Sequence, residues 1–406
     1  MSRDQAEAGA LEREKRSTWG AGLFTSGVWD MLSIVVPLYG AAVGLGVAEI
    51  GLIVSARSVL PTALSIHGGI LMDRLGTRRV LLWVAVACAL LPLLYPVSGW
   101  FAMLFLLQLL LGLASSISMA AAQTWSLQVS GGDMATLAKF SVVSRIGTFF
   151  GPVIVGAAWD LFGARAAFLC VSLCGAGIVA SAFFALPSGS AQAKAPEIRA
   201  ADAIRALVPN WAEHKQALLL AAIPAMAFIL AASFLRNAPG SIQASLYVVY
   251  LAGIGMTGTI IGMLVSVSEL FGVFGSMVAA SLERVMRGDR LLIACIASSI
   301  AAIVITPLVG HILILLAVAS MIRGIAQGIS QPLLYSIMSR IAPSTRHGAS
   351  VGLRAAVVRL ASIVTPAVMG IIAEAWGIEM SFYVVGAVLL LAAAALVVAS
   401  RRLRFE

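Results

Sequence analysis

Twelve apolar runs separated by short polar stretches divide the chain: residues 19–43, 49–72, 80–97, 100–125, 138–161, 166–186, 218–251, 258–281, 291–309, 312–337, 349–375 and 380–400. A bilayer core of about 30 Å takes roughly 20 helical residues, so each run predicts one membrane-spanning helix. The expected fold is therefore an all-α membrane protein with twelve transmembrane helices. The seventh run is longer than one crossing needs yet too short for two, and Pro239-Gly240 is expected to kink it. The first run is too long for the core of a signal peptide and another follows it at once, so it is expected to stay in the mature protein.

The polar stretches orient the runs. Of the 27 Lys and Arg, 20 fall on alternate connections or at the two ends, from Arg3, Arg13, Lys15 and Arg16 before the first run to Arg401, Arg402 and Arg404 after the last. The opposite connections hold one, Arg165. Basic loops resist translocation, so this split puts both termini in the cytoplasm of a multi-pass protein of the inner or plasma membrane. The remaining six, all Arg, stand inside the runs.

The longest polar stretch separates the sixth run from the seventh. It sets the expected organisation: a tail at 1–18, a six-helix bundle at 19–186, a cytoplasmic linker at 187–217, a second bundle at 218–400 and a tail at 401–406. Within the linker, 200–207 has the pattern of a short amphipathic surface helix. The halves repeat each other. Ser144-Arg145-Ile146-Gly147 leading to Gly151-Pro152 and Gly156 matches Val358-Arg359-Leu360-Ala361 leading to Thr365-Pro366 and Gly370. The same register pairs Asp160 with Glu374, Gly163 with Gly377 and Phe168 with Phe382, while Gly51, Val54 and Ser55 pair with Gly262, Val265 and Ser266. Two pseudo-symmetric bundles are a common build for secondary transporters, because rocking one against the other alternates access.

Composition narrows the class further. At 60% hydrophobic, 11% charged and a mean hydropathy of +1.00, the chain cannot be a water-soluble globule. Its pI near 9.9 would point to nucleic acid in a soluble protein, but the cytoplasmic loops absorb the excess charge and no nucleic-acid partner is expected. Cys88, Cys170, Cys174 and Cys295 all lie within apolar runs, which argues against a disulfide framework. No nucleophile has a base at motif spacing, and there is no phosphate loop or metal-ligand pattern. Catalytic residues, cofactors and metals are not expected, and the chain is not expected to be an enzyme.

After the second run comes Gly69-Ile70-Leu71-Met72-Asp73-Arg74-Leu75-Gly76-Thr77-Arg78-Arg79. It resembles the signature loop of the major facilitator superfamily, with Thr77 where that family usually has Arg; the resemblance extends over 19–400. It implies the major facilitator fold, in which this loop (Gly69, Asp73, Arg74, Gly76 and Arg78) is a conformational latch. Physically, Asp73 can accept bonds from a helix N-terminus while Arg74 and Arg78 tie helix ends. The counterpart in the second half, at 281–287, keeps the acid and base but lacks the glycines. Gly151-Pro152 resembles the core of the family's antiporter motif, which implies export; read on its own, Gly147, Gly151, Pro152 and Gly156 form a helix-packing motif. Arg323-Gly324-Ile325-Ala326-Gln327-Gly328 resembles a segment that the family carries in its fourth span, where Gln108 stands here instead of Arg.

Inside the runs stand Arg57, Arg145, Arg236, Arg323, Arg354 and Arg359, with Asp30 and Glu269. An Arg at mid-membrane costs about 2.5 to 3.5 kcal/mol on insertion scales, so these should face the protein interior. They avoid the third, sixth, ninth and twelfth runs, which the resemblance makes peripheral. A surplus of Arg over acids is costly in low dielectric unless an anion visits. Arg57, Arg145, Arg236, Arg323 and Arg359 are therefore candidate substrate-binding residues, and Asp30 and Glu269 candidate proton carriers. The expected function is proton-coupled secondary transport of a small organic molecule, leaning to efflux of amphipathic or anionic compounds. The alternatives are uptake of an organic anion, or a non-transporting sensor or assembly partner. Expected partners are the substrate, protons and the bilayer, with the chain acting as a monomer.

Overall fold

A computed structural model describes residues 3–184, 222–341 and 347–403. The linker at 187–217 and its amphipathic segment lie outside the described residues. The regular structure is helical throughout: α1 Arg3–Ala42, α2 Val47–Leu75, α3 Thr77–Leu90 continued by a 3₁₀ turn Leu91–Val97, α4 Phe101–Ser130, α5 Met134–Phe183, α6 Pro224–Gln243, α7 Leu246–Gly253, α8 Gly258–Val285, α9 Gly288–Val304, α10 Thr306–Val309, α11 Leu313–Ile341, α12 His347–Trp376 and α13 Ile378–Leu403. Lipid offers backbone groups no partners, so a long apolar run must satisfy them within one helix.

Among the described residues, nine helices are long and apolar enough to cross a membrane alone. The other crossings arise where the chain bends or breaks. The 50 residues of α5 hold the fifth and sixth crossings, divided at Gly163 (φ 78, ψ −173). The seventh is shared by α6 and α7, the ninth by α9 and α10. Pro239 lies within α6, and the chain departs from helix at Ser245 (φ −138, ψ −105), whose hydroxyl bonds back to the Ser241 carbonyl at 2.7 Å. The repeat is visible in the backbone: Gly163 and Gly377 both have positive φ, as do Gly44 and Gly255 at the register of the Gly51 and Gly262 pair.

The chain folds as two compact units, Met1–Val36 with Val59–Pro209, and Pro37–Ser58 with Asn210–Glu406. The bundles expected from sequence differ from these in one stretch, the end of α1 and start of α2, which joins the second unit. In the first unit α3 packs on α4 and α5, where Gly175 meets the backbone of Cys88 and Ala89 and Tyr95 stacks on Phe168 at 4.7 Å. Asp133 caps α5: its carboxylate accepts from the backbone of Ala135 and Thr136 and from the Thr136 hydroxyl. The Thr136 side-chain bond, then the two backbone bonds, hold its pKa below the ordinary carboxylate value.

In the second unit the seam between α8 and α11 is lined by glycine. A Cβ on Gly324 would meet the Ser268 carbonyl, one on Gly328 the Gly272 carbonyl, and one on Gly275 the Ile325 carbonyl. Between membrane helices the apolar effect is weak, so such backbone contact and its dispersion energy carry the association. Ala326, Ile329 and Leu333 of α11 bury in one apolar cluster with Ala279 of α8 and with Leu291 and Cys295 of α9. The start of α2 packs on α12 in the same way. A Cβ on Gly51 would meet the Pro366 carbonyl, the Ser55 hydroxyl donates to the Ile363 carbonyl at 2.7 Å, and the Ala48 N–H donates to Glu374 Oε2 at 3.3 Å. The Glu374 carboxylate thus sits at the positive end of the α2 dipole.

Candidate functional site

The first unit holds Asp30, Arg145, the packing glycines and most of the signature loop. Asp30 is half-buried on α1, whereas Arg145 is exposed on α5. Gly147 lies where its Cβ would overlap the Leu23 carbonyl, and Gly151 where it would stand 3.3 Å from the Gly27 carbonyl. Pro152 and Gly156 are buried on the same helix. This stretch therefore brings the α1 and α5 backbones together. In the signature loop Gly76 has φ 86, a conformation that a side chain resists, and it ends α2 and starts α3. Arg78 donates from Nε to the Ala182 carbonyl at 2.6 Å and from Nη2 to the Phe183 carbonyl at 3.0 Å. A guanidinium there satisfies the orphan carbonyls at the end of α5 and complements its dipole. Among the described residues nothing lies within 4 Å of a Cβ at Gly69, Arg74 is half-buried, and the side chain of Asp73 lies outside the described residues.

Gln108, the residue standing in place of an Arg in α4, has a structural partner. It is buried, and its Oε1 accepts from the Tyr95 hydroxyl at 2.6 Å. Gln108→Leu is expected to remove that bond and cost about 1 to 3 kcal/mol of stability, while adding Tyr95→Phe restores part of the loss. Thermal melts of the two single variants and the double variant measure the coupling.

The second unit collects the larger share of the buried charge. Arg57 is buried on α2 and Arg359 half-buried on α12. On α6, Arg236 is fixed by three bonds to α11: Nε to Ser330 Oγ at 3.0 Å, and Nη2 to the Gln327 carbonyl at 3.1 Å and Gln331 Oε1 at 2.7 Å. Beside it, Asn237 donates to the Val358 carbonyl at 3.0 Å and Ser362 Oγ at 2.8 Å on α12. Arg323 is 1% exposed, with its Cζ 5.8 Å from the centre of the Tyr247 ring, and its two Nη atoms find no hydrogen-bond acceptor among the described residues. The gap beside it, lined by Tyr247, Thr306, Ser320 and apolar side chains, is too small to admit a water molecule. Glu269 of α8 is half-buried and lies within electrostatic reach of both Arg236 and Arg323. Arg354 of α12 donates from Nη2 to the Tyr335 hydroxyl at 2.6 Å, with its Cζ 4.4 Å from the centre of that ring.

The structure thus brings Arg236, Arg323 and Glu269 into one neighbourhood and places Asp30 and Arg145 in the other unit. Sequence reasoning passed over Gln327, Ser330, Gln331 and Tyr335. Their spacing of three and four along the apolar α11 was the available signal, since it makes a polar stripe on one helix face. Among the described residues no group of three or more His, Cys, Asp and Glu could hold a metal ion.

The sequence profile described as Major Facilitator Superfamily matches residues 18–240 and 229–404. No curated protein matches the chain in sequence. Among solved structures it is similar to the nucleoside transporter NupG, at 14% identity and a TM-score of 0.79 over 95% of this chain and 99% of that one. It is also similar to the peptide transporter POT in complex with sulfate, at 15% identity and a TM-score of 0.73 over 96% and 94%. At such identities the likeness concerns the fold.

Proposed function

The chain belongs to the major facilitator superfamily, a multi-pass membrane transporter and not an enzyme, and from that premise we propose that it moves a small organic anion by proton-coupled alternating access. One observation carries the anionic reading. Of Arg236, Arg323 and Arg354, none has a carboxylate within 4.0 Å among the described residues, and Glu269 is the acid in the field of the first two. Guanidinium groups held in low dielectric without ion pairs are stabilised by a visiting anion and repel a cation, by contact at Arg236 and Arg354 and by field alone at Arg323, beside which there is no room for a ligand. Arg57 and Arg359 of the second unit, and Arg145 of the first, are further candidates for contact with the anion.

Glu269 and Asp30 are the proton carriers in this reading. A carboxyl between an apolar wall and a guanidinium changes its proton affinity when either neighbour moves, which couples protonation to conformation. The basic connections support an inner or plasma membrane with both termini in the cytoplasm, a monomer suffices, and the Gly151-Pro152 resemblance favours export. Reconstituted protein should show anion flux driven by an imposed pH gradient. Glu269→Gln or Asp30→Asn is expected to reduce that flux at least about tenfold while leaving equilibrium anion binding measurable, since a neutral isostere keeps shape but carries no proton. Full gradient-driven flux in both variants would remove both acids from coupling, and flux of lipophilic cations alone would remove the anionic substrate.

A further inference from the structure

Where α6, α11 and α12 meet, four side chains form a linked set whose hydrogen-bonding capacity points one way. Arg236 Nη2 donates to Gln331 Oε1 at 2.7 Å, and Arg354 Nη2 donates to the Tyr335 hydroxyl at 2.6 Å. Gln331 and Tyr335 stand four residues apart, on one face of α11. Arg236 and Arg354 lie within each other's electrostatic field. Gln331 and Tyr335 are both exposed, which leaves the set open on one side, whereas the two Arg are half-buried.

The bonds already made determine what the set can offer. With its Oε1 taken by Arg236, the Gln331 amide presents Nε2, a double donor. The Tyr335 oxygen accepts from Arg354, so its own proton remains to be given. Among the described residues, the Nε of Arg354 is buried without an acceptor, and Arg236 still has Nη1, for which no bond is formed. Four side chains therefore present donors around two positive charges, with no carboxylate within 4.0 Å of either Arg among the described residues. A ligand group that fits must bring acceptors and no hydrogens, must carry negative charge, and must be small enough to be shared by two guanidinium groups.

We propose that Arg236, Gln331, Tyr335 and Arg354 form a recognition subsite for a carboxylate group of the substrate, an inference that rests on the anionic reading above. Arg354 is the residue that binds it directly. Arg236, held by α11 on three bonds, supplies the second charge and orients Gln331 so that its amide nitrogen faces the ligand. The subsite discriminates against amides and cations as well as neutral molecules: an amide brings two hydrogens to a surface of donors, and a cation meets two positive charges.

The test uses the purified full-length protein and two isosteric pairs, benzoate with benzamide and nicotinate with nicotinamide, with affinity read from ligand-dependent melting temperature. The acids should stabilise the wild type and the amides should not. Arg354→Gln is expected to weaken the acids at least about tenfold, the order of one charge-assisted bond. Gln331→Glu supplies a second measurement with the fold protected: it keeps the acceptor for Arg236, replaces the donor amide by a carboxylate, and is expected to abolish binding of the acids without lowering the melting temperature of the free protein. Acid binding that survives in both variants overturns the subsite while the anionic reading stands. A wild type that none of the acids stabilises overturns both.

Discussion

Arg323→Met is expected to raise the melting temperature of the ligand-free protein, by an amount corresponding to about 1 to 4 kcal/mol, although it deletes a charge and its contact with the Tyr247 ring. The guanidinium is 1% exposed, its two Nη atoms have no acceptor, no carboxylate lies within 4.0 Å among the described residues, and the adjoining gap admits no water. Attraction to the Tyr247 face returns about 2 kcal/mol or somewhat more in a dry site, against a desolvation cost of several kcal/mol for the ion. Met keeps much of the volume and removes that cost. The comparison variant is Arg236→Met, where three hydrogen bonds and their acceptors on α11 are lost. There the melting temperature should fall. A drop at Arg323 as large as at Arg236 would mean that Arg323 is compensated by a partner it reaches in solution, and would restore it as a residue of structural weight.

Gly328→Leu should have the opposite and larger effect, loss of folded protein. A Cβ at Gly328 would overlap the Gly272 carbonyl and stand 2.9 Å from the Ser276 nitrogen, all backbone atoms of α8. A side chain in the way could rotate aside, but a helix backbone must translate as a whole, which would part the seam along Gly324 and Gly275 as well. Overpacking of this kind costs about 1 to 3 kcal/mol when only side chains yield, and more when backbone must. Gly352→Leu is the matched control, because nothing lies within 4 Å of a Cβ there. Monodisperse yield after extraction separates the two. Equal yields would show that the seam is not close-packed.

The positions of the crossings were legible because lipid leaves the backbone no choice: a run of some twenty apolar residues must close its hydrogen bonds internally, so local composition decides. The twofold repeat was legible for a related reason. Turn geometry is local, and the glycines that the repeat pairs, Gly163 and Gly377, are positive-φ positions where a side chain would be strained. The polar stripe on α11 was also written in the sequence, at a spacing anyone could count, but its meaning was not. Gln331 becomes a donor only because Arg236, 95 residues earlier in the chain, occupies its oxygen.

Other features lay beyond local patterns altogether. The seventh crossing leaves helical geometry at Ser245, a place that the Pro239-Gly240 pair does not mark in the sequence. Gln108 read as a missing Arg until Tyr95 supplied its partner. The first residues of α2 belong to the second unit because Gly51 and Ser55 meet α12, some 300 residues away along the chain. Hydropathy counted how many charges the membrane interior must hold, since each has a price in lipid that only a protein-facing position avoids. Which of those charges are neighbours, and so which can share an anion, depends on distances between helices far apart in sequence, and the tertiary structure alone decided that.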